Sequence, residues 1–511
     1  MAHPLLNAAL AHHRAGRLQE AEALYRNILL ANPALADAHH LLGVIALTKG
    51  NLDEAAGLVS HAISLASQRE AYHLTLGQVL HRKGDLAGAE ASHLQALRIT
   101  PAFPEAQNAL GVVFEAQGRL PLAKDQYLQA IKLRPSFAEA IFNLGNVERR
   151  LGRLSEAEAA YRRAIELRAE FSDAHYMLGK VLIERGDAAQ ALPRYRQAIA
   201  LNPQNAAAHE ALSHLLLAQG EFVEGWREYA WRSARDRHAP LHPAALPGDL
   251  TGTQWVLQSE QGLGDALFFL RGARSLRARG ATLHFWGDER LVSLLKRTGL
   301  FDQYFSYRDT ADSALPRLQM GDLPGLLGWN DLASLPPSIS IEPQPQRVAA
   351  LRNKLKALGD PPYCGVTWRA GSRAVDHALY KEIPPDRLGA SLATWRGTLI
   401  SLQRNPEPGE TASLAARATQ AVHDWSSLND DLEDMLALLK LLDAYVGVSN
   451  TNMHLCAAVG SAARVLVPHP PEWRWMSAGD VSPWFPGFKI YRQNAVHGWA
   501  PALEALSKDM S

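Results

Sequence analysis

Along the first half of the chain, small residues return at a fixed interval and frame the apolar positions between them. Glycines stand at Gly16, Gly50, Gly84, Gly118, Gly152, Gly186 and Gly220, each 34 residues after the last. A second series, Gly43, Gly77, Gly111, Gly145 and Gly179, keeps the same step, with Ala9 and Ser213 at its ends. Alanines follow in register at Ala21, Ala55, Ala89, Ala123, Ala157 and Ala191, and tyrosines at Tyr25, Tyr127, Tyr161, Tyr195 and Tyr229. Prolines close several units at Pro33, Pro101, Pro135 and Pro203. Small side chains let two helices approach closely, glycine closes the turn between them, and proline stops the second helix. Such hairpins bury their apolar faces only by stacking, so the pattern predicts an α-helical solenoid of about seven units over residues 1–235. The last unit departs from it. Gly225-Trp226 takes the alanine position, and Trp226, Tyr229 and Trp231 thicken its face, as expected of a capping unit that docks onto a following domain.

Beyond this the period changes. A segment rich in proline and glycine, Arg237–Gly252, reads as a linker covering 236–251. Then Trp255–Gln261 reads as a strand, Asp265–Arg279 as a helix and Ala281–Gly287 as a strand, followed by the helix DERLVSLLKRTG and the strand FDQYFSY. This βαβαβ order predicts a parallel sheet over 252–345. After a connection at 346–361, strands Cys364–Arg369, Gly397–Gln403, Tyr445–Ser449 and Ala463–Pro468 predict a second unit over 362–511. Two doubly wound units in tandem leave a cleft at the carboxyl ends of their strands, where ligands bind in such folds.

Two stretches would face that cleft. In GVSNTNMHLCAAVG, an apolar strand runs into a helix through Ser449, Asn450, Thr451 and Asn452, four hydrogen-bonding residues in a row, with His454 one turn on. A helix start offers unpaired N–H groups and a positive dipole end, so the junction suits a phosphate. An ordinary N-cap would need only one of the four. In SEQGLGDALFFLR, Gly262 and Gly264 let backbone approach a ligand, but the third glycine of a dinucleotide fingerprint is replaced by Leu267. Asp265 in this turn would repel a pyrophosphate on the same amides. It reads as a general base facing the cleft, or as a first-turn dipole partner.

Composition narrows the classes. Lysine plus arginine equals aspartate plus glutamate at 52 each, so no overall field draws nucleic acid or an anionic membrane. Cys364 and Cys456 lie in apolar runs and read as core thiols of a reducing compartment. Met1-Ala2-His3-Pro4 does not begin a secretory signal, and no apolar run approaches the roughly 20 residues that span a bilayer. A cytoplasmic protein is expected. His39, His40, His73, His81 and His93 lack ligand spacing, so no metal site is predicted.

The repeats resemble the tetratricopeptide repeat in period and in their small-small-aromatic-proline pattern. The second half resembles a GT-B glycosyltransferase of the heptosyltransferase-like branch, which implies two Rossmann-like lobes, 252–345 and the nucleotide-sugar-binding 362–511. GLGDALFFL is similar to a family segment whose aspartate is the proposed catalytic base, and it falls on Asp265. GVSNTNMHLCAAVG is similar to the aspartate-threonine-x-x-x-histidine-leucine segment that binds the donor's phosphates, with the histidine on His454 but Ser449 and Asn450 in place of aspartate and threonine. GVTWRAGS and LYKEIP resemble the segment that supplies a basic residue near the phosphates, making Arg369 and Lys381 candidates, with Arg373 behind them. The tail PHPPEWRWMSAGDVSPWFPGFKIYRQ fits bacterial repeat-containing transferases, some of which modify flagellin. The resemblance implies a metal-independent enzyme without a cofactor. Its co-substrate is a CMP- or UDP-linked sugar, and its acceptor a protein held on the concave face of the repeats. Asp265 takes the acceptor proton, while Arg369, Lys381 and the Ser449–His454 segment hold the leaving phosphate. Trp473, Arg474, Trp475 and Trp484 are expected to line the sugar or acceptor side, or to form a packed aromatic clamp.

Overall fold

In the computed structural model, which describes residues 4–235, 246–309, 315–370 and 381–511, each 34-residue period folds as a pair of helices. The two glycine series do different work. Gly50 and Gly220 end their helices with φ of +83° and +87°, a left-handed cap that no side chain favours. The other series makes room. A Cβ on Gly111 would lie 2.6 Å from Cε1 of Tyr127, and one on Gly145 would lie 2.7 Å from Cε1 of Tyr161. Glycine on one helix and tyrosine on the next are thus the two halves of one contact. Where the tyrosine is missing, Val59 packs on Gly43 and the His93 ring on Gly77. His93 is therefore buried packing, and the His73 ring bonds the Ser67 carbonyl at 2.9 Å.

The chain divides into two compact units, residues 1–181 and 182–511, with the boundary inside the helix Ser172–Glu184. Helices Ala188–Leu201, Ala206–Gln219 and Phe222–Tyr229 therefore belong with the α/β part, although their sequence continues the repeat. The reason is the thickened face of the last hairpin. Leu217, Phe222, Trp226 and Tyr229 share one core with Leu257, Phe268, Trp329, Trp473 and Trp484. The Trp226 indole N–H donates to the Trp329 carbonyl at 2.9 Å, and its ring stands edge-on to those of Tyr229, Trp329, Trp473 and Trp484. Of the predicted linker, 236–245 lie outside the described residues. Leu250 is buried, and its N–H donates to Arg279 at 2.6 Å.

The α/β part holds strands β1 (Gln254–Gln258), β2 (Thr282–Gly287), β3 (Gln303–Ser306), β4 (Arg317–Gln319), β5 (Tyr363–Thr367), β6 (Arg369–Ala370), β7 (Lys381–Glu382), β8 (Thr398–Ser401), β9 (Val422–Asp424), β10 (Ala444–Val448), β11 (Arg464–Val467) and β12 (Lys489–Arg492). Among the described residues the first sheet runs β3-β2-β1-β4 and the second β12-β11-β10-β5-β8-β9, every pairing parallel. β6 and β7 form a small antiparallel pair that joins Ala370 to Lys381. The parallel sheets follow the predicted alternation, and β4, β9 and β12 extend it. The predicted helix Asp265–Arg279 is two helices, Leu263–Phe269 and Arg271–Ala278. At the junction Arg271 is buried. Its guanidinium donates to the carbonyls of Phe268 (2.9 Å), Trp484 (3.3 Å) and Pro336 (3.4 Å) and to the Ser338 hydroxyl (3.2 Å). The predicted connection 346–361 is mostly the helix Pro345–Leu358, tied to Asp431 and Asp434 through Arg347. Cys364 in β5 and Cys456 in the helix Thr451–Ala458 are fully buried free thiols, and desolvation pushes Cys364 up to about 12. Among the described residues, no helix is long and apolar enough to cross a membrane.

Candidate functional site

The carboxyl ends of β1, β5 and β10 open on one cavity of about 450 Å³. From the first sheet come Gly262, Leu263, Gly264 and Asp265. From the second come Arg369, Lys381, Ser449, Asn450, Thr451, Asn452 and His454, together with Thr367, Gln403, Arg404, Asn405, Asn429, Glu472 and Arg474. The structure thus gathers in one place residues far apart in sequence, Asp265 and Arg474 being separated by 209 positions. Arg373 lies outside the described residues.

Asn450 answers the question posed by four polar residues in a row. Its side-chain oxygen caps the helix Thr451–Ala458, accepting from Asn452 N–H at 3.0 Å and Met453 N–H at 3.3 Å. Its amide donates to Thr367 Oγ1 at 3.0 Å and to the Tyr445 hydroxyl at 3.1 Å. Asn450 is therefore spent on holding the junction together, and its side chain is not a free phosphate donor. Asn452 is buried, and its amide reaches Asn429 Oδ1 at 3.4 Å. Ser449 donates to Glu472 Oε2 at 3.0 Å. Thr451 stands on the cavity wall.

The charged groups form a chain across the cleft. Asp265, in the first turn of its helix, is ion-paired to Arg474. Arg474 is also 4.0 Å from Glu472, which is ion-paired to Lys381. Burial, with Arg474 adding to it and Asp265 opposing it, lowers Lys381 to about 8. Arg369 is committed to Glu410 at 2.8 Å and to the Asn405 carbonyl at 3.3 Å. Behind the wall, Arg271 meets no carboxylate among the described residues, and burial, then Arg474, lowers it to about 9. Cations outnumber carboxylates here, a field that favours an anion.

His454 is 7 % exposed. Burial, followed by the charges of Arg474, Arg271 and Lys381, holds it well below the usual imidazole range, so it contributes a neutral ring rather than a cation. Gly264 exists for that ring: a Cβ there would lie 2.8 Å from His454 Cδ2. This is a role in packing two helices, where the sequence suggested room for a ligand. Gly264→Ala is expected to lower stability by about 1–3 kcal/mol through overpacking. Calorimetric unfolding checks this, and an unchanged melting temperature contradicts it.

Of the expected aromatic lining, Arg474 reaches the cleft. Trp473, Trp475 and Trp484 do not: they are 3 %, 0 % and 1 % exposed and pack with Trp226, Phe268, Phe485 and Phe488. Aromatic rings among prolines reach greater burial in the shared core than a polar cleft would allow. Sequence reasoning missed Glu472, Arg404 and Arg271.

The tetratricopeptide-repeat family matches residues 6–70 and 108–173, and TPR repeats match 77–118 and 179–220. The first 220 or so residues are thus tetratricopeptide repeats. Among curated proteins the chain is similar to Protein FlbA of Caulobacter vibrioides (strain ATCC 19089 / CIP 103742 / CB 15), at 25% identity over 312 residues, or 55% of this chain. It spans about half the length of that relative, 51%. Among solved structures it is similar to YrrB, a TPR protein with an unusual peptide-binding site (22% identity, 36% of this chain and 95% of that one, TM-score 0.29). It is also similar to the type IV pilus biogenesis factor PilW (21% identity, 41% and 98%, TM-score 0.37) and to the APC/C hetero-tetramer Cut9-Hcn1 (19% identity, 42% and 42%, TM-score 0.40).

Proposed function

We propose that residues 252–511 form a metal-independent GT-B glycosyltransferase that moves a sugar from a CMP- or UDP-linked donor to a serine or threonine hydroxyl of a protein recruited by the repeats. The single observation that carries this reading is the convergence, in one cleft, of a carboxylate on the first sheet's turn with Lys381, Arg474 and Ser449 on the second. In this scheme Asp265 accepts the hydroxyl proton as the oxygen attacks the anomeric carbon. The bond from that carbon to the phosphate oxygen breaks, and its electron pair leaves on the phosphate, which Lys381 and Arg474 stabilise. Neutral His454 can add an N–H but no charge. Repeats of this kind grip extended peptides or protein partners. The sequence resemblance to flagellin-modifying transferases makes flagellin the first acceptor to try.

A second reading has an observation in its favour. Asp265 is tied to Arg474, and Asn450 is occupied as a cap, which is what a scaffold that has lost turnover would retain. A thermal-shift panel of CMP- and UDP-sugars separates the two. A donor at a hundred times its Kd stabilises the native state by about 2.7 kcal/mol, so at least one class is expected to raise the melting temperature. A flat response across the panel favours the scaffold. Deleting the repeats of residues 4–181 is expected to spare activity only if the acceptor is a glycan.

A further inference from the structure

Three polar groups of the cleft converge on one carboxylate. Glu472 is ion-paired to Lys381, accepts from Ser449 Oγ at 3.0 Å and lies 4.0 Å from Nη1 of Arg474, with its side chain 9 % exposed. A buried cluster of two cations and a hydroxyl needs an oxyanion among them, because unpaired charges are costly there. In the free protein that oxyanion is supplied from within the chain. Lys381, Ser449, Arg474 and Glu472 all line the same cavity, so a ligand there can reach the same groups. We propose that Glu472 marks the phosphate position: its carboxylate stands where a phosphate oxygen of the ligand goes, and a phosphate-bearing ligand binds by displacing it from Lys381, Ser449 and Arg474.

This deepens the donor reading above and rests on it for the identity of the ligand. Glu472 is then a positioning residue. It keeps Lys381 and Arg474 extended toward one point, and its departure hands both to the phosphate. Arg474 also holds Asp265, so a phosphate that draws Arg474 toward itself loosens the grip on that carboxylate. Phosphate binding and the freeing of Asp265 are linked through one guanidinium, which puts the phosphate-bearing ligand first and the acceptor hydroxyl second.

The experiment is a double-mutant cycle in the full chain, with inorganic pyrophosphate as the probe and calorimetric Kd as the readout. Glu472→Gln keeps size and hydrogen bonding but removes the competing charge, and is expected to bind pyrophosphate about tenfold more tightly than the wild type. General structural damage does not produce tighter binding. In a Lys381→Met background the gain from Glu472→Gln is expected to shrink, because competitor and ligand then share only Arg474 and Ser449. Should Glu472→Gln fail to fold, Glu472→Ala is read in the same way. Equal or weaker binding by the variant, a gain undiminished without Lys381, or no binding by either protein overturns the proposal. Pyrophosphate behaving as expected while no CMP- or UDP-sugar binds removes the donor reading and leaves this one standing.

Discussion

Under the proposed transferase reaction, replacing Asp265 by asparagine is expected to reduce sugar transfer by about 10²–10⁴-fold, the range by which a positioned general base contributes. The fold should survive. The Asp265 side chain is 27 % exposed, and asparagine retains an oxygen for Arg474. Binding of the protein acceptor should also survive, since the proposed recruiting surface is the repeats. Intact-mass spectrometry of the acceptor, with the variant's melting temperature alongside, reads both effects. Full activity in the variant removes Asp265 as the base.

Trp226→Ala is expected to cost about 3–5 kcal/mol, in the range for emptying a large aromatic site in a core. The indole fills space among Tyr229, Trp329, Trp473 and Trp484, and its N–H is the donor to the Trp329 carbonyl. Truncation therefore leaves both a cavity and an unsatisfied buried carbonyl. The damage should fall on the transition of residues 182–511, because that unit contains every one of these contacts. Denaturant unfolding followed by tryptophan fluorescence measures it. A loss below about 1 kcal/mol would mean that the last hairpin is merely tethered to the α/β part.

The repeats were legible because their period is enforced by contact. Glycines of one series take a left-handed turn, and those of the other must clear the residue that packs on them, as at Gly111 and Tyr127, so neither series can drift. The strands before the cleft were legible as apolar runs meeting polar turns, and so were Asp265, Ser449 and His454 at those turns. What lay hidden depends on tertiary geometry. Nothing in the spacing of EWRW distinguishes Glu472 and Arg474, which enter the cleft, from Trp473 and Trp475, which turn into the core. Asn450 looked like a ligand donor because its four partners come partly from β5 and β10, side by side only after folding. The three-residue strands β4 and β9 are too short to show alternation, and their place in a sheet comes from neighbours.

Cys364 and Cys456 are shielded, and the thiolate that alkylating reagents require is suppressed at both. Maleimide and spin-label chemistry should accordingly pass over the native chain. A single cysteine introduced on an outward-facing repeat position then becomes a selective handle for a fluorophore, without first building a thiol-free background.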